Sequence, residues 1–161
     1  IKNKMTNFEK VRQFHRVFGL LDTDKLQTNV FTDKPELVKL RLDLIKEEVT
    51  ELEEAMKNHD MTEVIDALSD ILYVVYGAGA SFGIDLDETF DIVHKSNMSK
   101  SCKSEEQAIR SVENYVKLYG ENKCSYDSPA YRYDKENDLY VIYNKSTGKI
   151  LKNIDYETAK F

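Results

Sequence analysis

The sequence predicts a mainly α protein, a bundle of about five helices followed by a small C-terminal β-hairpin. Three observations carry this. Apolar residues recur at three- and four-residue steps from Phe8 to Tyr119. Residues that open or close helices punctuate those runs, at Gly19, Pro35, Asp85, Ser104 and Gly120. After residue 120 the texture turns tyrosine-rich, with β-branched runs around a Ser-Thr-Gly turn. The chain has 161 residues, 41% hydrophobic and 32% charged, enough for one ordinary domain with a core of its own. A single domain over 1–161 is expected: a tag or disordered start over 1–6, a helical core over 7–120, and a tail over 121–161.

Phe8, Val11, Phe14, His15 and Phe18 mark a short amphipathic helix closed by Gly19. Residues 20–34 read as a polar connection. Pro35 suits the first turn of a long helix carrying Leu37, Leu40, Leu44, Ile45, Leu52 and Met56, which ends near His59. A third helix from about Met61 carries Val64, Ile65, Leu68, Ile71, Leu72, Val75 and Ala78. It is apolar almost all round from Ile71 to Ala80, as the centre of a bundle is. Gly77, Gly79 and Gly83 mark its end near Phe82 or a very close approach there. Asp85, with Glu88 three residues on, caps a fourth helix reaching about Lys100, and Ser104 caps a fifth ending at Gly120. In the tail, "LYVIYNKSTGKILKN" offers two short strands around Ser146-Thr147-Gly148, a hairpin rather than a second domain.

A net charge of −6 opposes general affinity for nucleic acid or an anionic membrane, so a phosphate ligand needs a metal ion or a local basic cluster. Cys102 and Cys124 lie far apart with no Cys-x-x-Cys spacing, which indicates neither a zinc site nor a disulfide framework and suits a reducing, cytoplasmic setting. No uninterrupted apolar run of about 18 residues is seen, so no membrane span is expected.

The stretch "IKEEVTELEEA" concentrates Glu47, Glu48, Glu51, Glu53 and Glu54 with no lysine or arginine from Glu47 to Ala55. On a helix Glu47, Glu48 and Glu51 project to one side within about one turn. The next helix supplies Glu63, Asp66 and Asp70 at steps of three and four, and an antiparallel hairpin through the short "NHDM" link makes the two acidic faces converge. Such a set is destabilising unless a cation sits within it, and hard oxygen donors suit Mg²⁺ or Mn²⁺. A glutamate run is more commonly a solvated helix face, and Glu53 and Glu54 read that way. The matching cluster on the neighbouring helix, and aspartates inside an apolar segment where they are poor helix formers, favour the cation. Arg41, two turns before the cluster, reads as an ordinary ion-pair partner of it, with a phosphate contact as the alternative.

His94, Lys95, Asn97 and Lys100 decorate the end of the fourth helix. Cations there suit the helix dipole, which is the simplest account of them. No Gly-x-x-x-x-Gly-Lys-Ser/Thr loop exists to cradle phosphate. Phe14, His15 and Phe18 at helical spacing are core residues more commonly than base-stacking ones.

In order along the chain, "EEVTE" and "EVID" match an E-E-x-x-E … E-x-x-D pattern, joined by "DALSDILYVVYG" and "HKSNMSK". On these motifs the chain resembles the all-α nucleoside triphosphate pyrophosphohydrolases, more closely the MazG-like and phosphoribosyl-ATP pyrophosphohydrolase-like proteins, from about Asn7 onward. The resemblance implies hydrolysis of the α–β phosphate bond of a nucleoside triphosphate to monophosphate and pyrophosphate. It implies Glu48, Glu51, Glu63 and Asp66 as Mg²⁺ ligands, Asp70 as a ligand or neighbour of one, and Glu47 or Glu48 as the group that activates water. His94, Lys95, Asn97 and Lys100 become substrate contacts, Asn97 and Lys100 foremost. It also implies a homodimer or dimer of dimers, which the small residues Gly77 to Ala80 suit by allowing another helix close. Hydrolysis of phosphoribosyl-ATP, or a non-catalytic nucleotide- or cation-binding adaptor, are the alternative functions.

Overall fold

The structure is a computed structural model and describes residues 4–161. These form two compact units, the first ending at Thr89 and the second running from Phe90 to Phe161. The first contains α1 (Asn7–Val17), α2 (Val30–Asp33), α3 (Pro35–Lys57), α4 (Met61–Phe82) and the start of α5 (Leu86–Met98). The second contains the rest of α5, α6 (Glu105–Gly120), β1 (Pro129–Asp134) and β2 (Leu139–Asn144). The five expected helices are present with ends within about two residues of expectation. A sixth, the single turn α2, lies in what reads as a polar connection, where Val30 is buried.

Of the start expected to be a tag or disordered, residues 1–3 lie outside the described residues. Thr6 is the N-cap of α1. Its hydroxyl accepts from the Glu9 N–H at 3.1 Å while the Glu9 carboxylate accepts from the Thr6 N–H at 2.9 Å, a reciprocal capping box. The link between α3 and α4 is only residues 58–60, so the two helices form an antiparallel hairpin. Its turn uses His59 in the left-handed region (φ 53) and Asp60 as N-cap, accepting from the Glu63 N–H at 3.1 Å. α1 packs on α4.

The chain from Phe18 to Asn29 is pinned to this frame at both edges. Arg12 bridges Asp22 and Asp24, each at 2.7 Å, and Arg16 reaches Asp22 at 3.1 Å. Burial pushes the Asp22 carboxyl up, but hydrogen bonds from Arg12 and Arg16 outweigh it and leave that carboxyl below its ordinary range. On the α4 side, Thr23 N–H donates to the Ala80 carbonyl at 3.1 Å and Gln27 N–H to the Phe82 carbonyl at 2.9 Å. Gly83 makes this docking possible: it ends α4 in the left-handed conformation (φ 71), and a Cβ there would lie 2.0 Å from the Lys25 carbonyl oxygen.

Two features of α4 bear on its expected place at the centre of a bundle. By length and composition this 22-residue helix, with a mean hydropathy of 1.3 over its most apolar window, is long and apolar enough to cross a membrane, although Asp66 and Asp70 interrupt the apolar run. Nor is it surrounded on all sides within the chain. Met61, Ile65, Leu68, Leu72 and Val75, at alternating steps of four and three, form one exposed apolar stripe, with Ile65 62% and Leu72 56% exposed.

The second unit has its own core of Cys102, Ala108, Ile142 and Leu151, ringed by Tyr115, Tyr126, Tyr131 and Tyr140. The hairpin differs from the one expected. β2 pairs antiparallel with the preceding segment β1, from Pro129 opposite Asn144 to Asp134 opposite Leu139, and the turn is 135–138 with Asp138 at φ 51. The Ser-Thr-Gly segment is a turn, but beyond it only Ile150 makes a single bridge back, to Tyr143. Buried Asn144 explains this. Its side-chain oxygen accepts from the Ser128 N–H at 2.9 Å while its amide nitrogen donates to Ser146 and Thr147, closing that turn tightly on itself. The other edge of β2 exchanges backbone hydrogen bonds with Cys102 at 2.7 and 2.8 Å. Cys102 and Cys124 are both free thiols.

Candidate active site

Glu47, Glu48 and Glu51 on α3 and Asp70 on α4 come together because of the hairpin's register. A residue some ten positions before the link on one helix lies level with one about ten positions after it on the other, which sets Glu48 against Asp70 and Glu51 near Asp66. Glu48 faces inward. It is half-buried, and its Oε2 is sealed from solvent with no hydrogen-bond partner. Burial pushes its carboxyl pKa up, and the negative charges of Glu51, Asp70 and Glu47 add to that shift. Glu47 and Glu51 are exposed and Asp70 is half-buried. Glu53 and Glu54 are exposed on the same helix, Glu53 lying 3.5 Å from Lys57, as a solvated face requires.

Glu63 and Asp66 are exposed on α4, nearer the link, and neither figures among the charges acting on Glu48. Among the described residues no three His, Cys, Asp or Glu side chains close tightly enough to enclose an ion. Glu48 and Glu51 lie close enough for a carboxyl–carboxylate hydrogen bond, which adds to the upward shift of the Glu48 carboxyl. The orphaned Glu48 oxygen nevertheless fits a cation. A buried acceptor without a donor costs free energy that a metal bond removes, and a donor set made only of carboxylate oxygens suits Mg²⁺ or Mn²⁺.

His94, Lys95 and Asn97 lie exposed in the second-unit half of α5, with Lys100 half-buried just after it. Of these four, Lys95 lines a cavity of about 510 Å³ within that unit, together with Ser96, Ser99, Tyr156 and Lys160. The cavity is built by the C-terminal segment docking on α5, where the Ser96 hydroxyl donates to the Glu157 carbonyl at 2.8 Å, and it contains none of the α3–α4 carboxylates.

The aromatic residues of α1 divide. Phe14 and Phe18 stack at 4.4 Å between centroids and stay exposed, Phe18 by 65%, whereas His15 is buried. The His15 Nδ1 lies 2.8 Å from the Leu21 carbonyl, which only accepts, so Nδ1 carries the proton and the neutral ring keeps a lone pair on Nε2. Burial lowers the His15 pKa and Arg41 lowers it further, together outweighing the Leu21 carbonyl and the Asp22 carboxylate, which raise it.

Arg41 is the residue whose role the sequence misjudged. It is only 6% exposed, makes no ion pair or hydrogen bond among the described residues, and its Nε is sealed without a partner. The expected pairing with the acidic cluster is absent because seven residues, about 10 Å along the helix, separate it from Glu48. The signal that would have found it is the heptad step Arg41, Glu48, Ala55 along the α3 face that meets α4.

Two comparisons bear on this arrangement. The family model described as phosphoribosyl-ATP pyrophosphohydrolase matches residues 11–97, a span holding every carboxylate of the α3–α4 hairpin named above. An uncharacterized protein of Acanthamoeba polyphaga mimivirus, L479, is 31% identical over an alignment covering 98% of this chain and 95% of that protein. With the helical hairpin, its paired carboxylates and the matched span in agreement, the chain belongs to the phosphoribosyl-ATP pyrophosphohydrolase family, within the MazG-like all-α nucleoside triphosphate pyrophosphohydrolases.

Proposed function

We propose that this member of a pyrophosphohydrolase family is a Mg²⁺-dependent nucleoside triphosphate pyrophosphohydrolase. It cleaves the α–β bond of ribo- or deoxyribonucleoside triphosphates to monophosphate and pyrophosphate, clearing unwanted nucleotides in the cytoplasm. The observation that carries the reading is Glu48: a carboxylate with a sealed, unpartnered oxygen, surrounded by Glu47, Glu51 and Asp70, in a family that hydrolyses phosphoric anhydrides. Glu48, Glu51, Asp70, Glu63 and Asp66 would hold the ion. When bound, Mg²⁺, or Mn²⁺ in its place, supplies neutralisation of the phosphate oxygens and of the charge gathering on the departing pyrophosphate. Glu47, or Glu48 in exchange with it, takes the proton from the attacking water as its oxygen bonds to phosphorus and the bond to the bridging oxygen breaks. The donors of His94, Lys95, Asn97 and Lys100 suit phosphate, sugar and base.

Pyrophosphate release from a panel of standard, deoxy and modified nucleoside triphosphates tests this. Release with Mg²⁺ that stops with chelator is expected, and binding without release would favour a non-catalytic adaptor. Phosphoribosyl-ATP belongs in the panel because the matched family carries its name; release from it alone would make that the substrate.

We propose also that the protein is a homodimer or dimer of dimers. The heptad-spaced stripe of α4 supports this, as does the exposure of Leu42, Val49 and Met56 at seven-residue steps on α3. Sedimentation at micromolar concentration is expected to give at least a dimer mass, reduced by Leu72→Glu. A monomer mass for the unaltered protein would overturn it.

A further inference from the structure

Arg41 sits in a niche shaped for its guanidinium. Gly77 lies opposite it on α4, and a Cβ there would be 2.8 Å from the Arg41 Nη1 and 3.1 Å from the His15 Nε2. Glycine is thus what leaves room for both side chains over the helix backbone. His15 is locked by its bond to the Leu21 carbonyl, which also accepts from the Ser81 hydroxyl at 3.2 Å. The niche therefore gives Arg41 walls but no counter-ion. Arginine cannot escape burial by losing its proton, so a guanidinium held nine-tenths buried with unused donors is a standing demand for an anion.

No carboxylate answers that demand among the described residues. The nearest acidic group on the same helix face is Glu48, two turns away, where a cation fits. A phosphate chain answers it: polyanionic, with two oxygens of a tetrahedral terminal phosphate able to accept together from the planar guanidinium fork, and long enough with the reach of arginine to join the two ends of the seam. We propose that Arg41, with His15 beside it across Gly77, receives the terminal phosphates of the substrate, the part that departs as pyrophosphate.

The identity of this anion rests on the pyrophosphohydrolase reading; the need for an anion does not. The neutral His15 Nε2 would take up a proton when phosphate arrives, since the added negative charge offsets the opposing field of Arg41.

Calorimetry with inorganic pyrophosphate and Mg²⁺, on the full chain, tests the proposal. Arg41→Met is expected to weaken binding at least tenfold and Arg41→Lys less so. Arg41→Met should also keep or raise Tm in anion-free buffer, because it removes an unpaired buried charge, and it should lose most of the Tm increase that pyrophosphate gives the unaltered protein. Wild-type affinity in Arg41→Met, or no pyrophosphate binding by the unaltered protein, would overturn the proposal. So would a lowered Tm with a fall in mass, which would assign Arg41 to a subunit contact. Should Arg41→Met fail to fold, NMR of the His15 ring in the unaltered protein decides. A rise in its pKa on adding pyrophosphate is expected, and unchanged ring signals at saturation would refute the assignment. Loss of turnover in Glu48→Gln with wild-type pyrophosphate binding in Arg41→Met would refute only the Arg41 role. No pyrophosphate release by the unaltered protein from any triphosphate, with weakened pyrophosphate binding in Arg41→Met, would refute only the reaction.

Discussion

Replacing Glu48 with glutamine is expected to lower pyrophosphate release at least about a hundredfold, the low end of what a positioned acid–base or metal-holding carboxylate contributes. The same change should leave the helical circular dichroism unaltered and Tm unchanged or higher. The reason is electrostatic. Glu48 is half-buried, its Oε2 has no donor, and Glu51, Asp70 and Glu47 oppose its ionisation, so the folded protein without an ion gains nothing from that charge. Glu51→Gln should behave alike. Glu53→Gln and Glu54→Gln, one turn away on the exposed face, should keep turnover within about twofold. The measurement is steady-state pyrophosphate release with Mg²⁺ at saturating substrate. Turnover in Glu48→Gln close to that of the unaltered protein would remove the acidic seam from the mechanism.

Gly83→Ala is expected to produce the largest loss of stability of any single-methyl addition in the chain. Forcing an L side chain into the left-handed region costs about 1–2 kcal/mol. Here the new methyl also meets the Lys25 carbonyl oxygen at 2.0 Å, a backbone atom that cannot swing aside as a side-chain end can, so the segment 25–27 must give way along with the Gln27 to Phe82 hydrogen bond. A total above about 2 kcal/mol corresponds to a fall in Tm of roughly 4–8 °C for a chain of this size. Gly120→Ala is the control. It adds a methyl with nothing within 4 Å and no unusual backbone, and it should be neutral or slightly stabilising. Equal melting of the two variants would show that the loop before α2 contributes nothing to the stability of the first unit.

The helices were legible because each has a local cause. Apolar periodicity defines α1, α3 and α6, Pro35 opens α3, Asp60 and Ser104 cap α4 and α6, and Asp85 accepts from the N–H groups of Asp87 and Glu88 at 3.1 and 3.2 Å at the start of α5. The acidic pattern was legible for the same reason, since residues three and four apart on one helix share a face whatever surrounds them. α2 was not, because a four-residue helix has no period to detect, and its Val30 is buried by packing against α3 rather than by pattern. The hairpin partner differs from the sequence expectation because the Ser-Thr-Gly turn signal is real, while the choice of strand is made by Asn144 and Ser128 across the sheet.

By itself the sequence determined the helical class, the helix ends, the family motifs and which carboxylates share a face, all of which depend on interactions within about four residues. Tertiary structure decided the rest. Helix pairing chose Asp70 as the opposite number of Glu48, left Arg41 without the ion pair its spacing suggested, and set it against Gly77 and His15. The physical reason is that desolvation and charge pairing depend on what lies across the helix interface, at distances in sequence that no local period encodes.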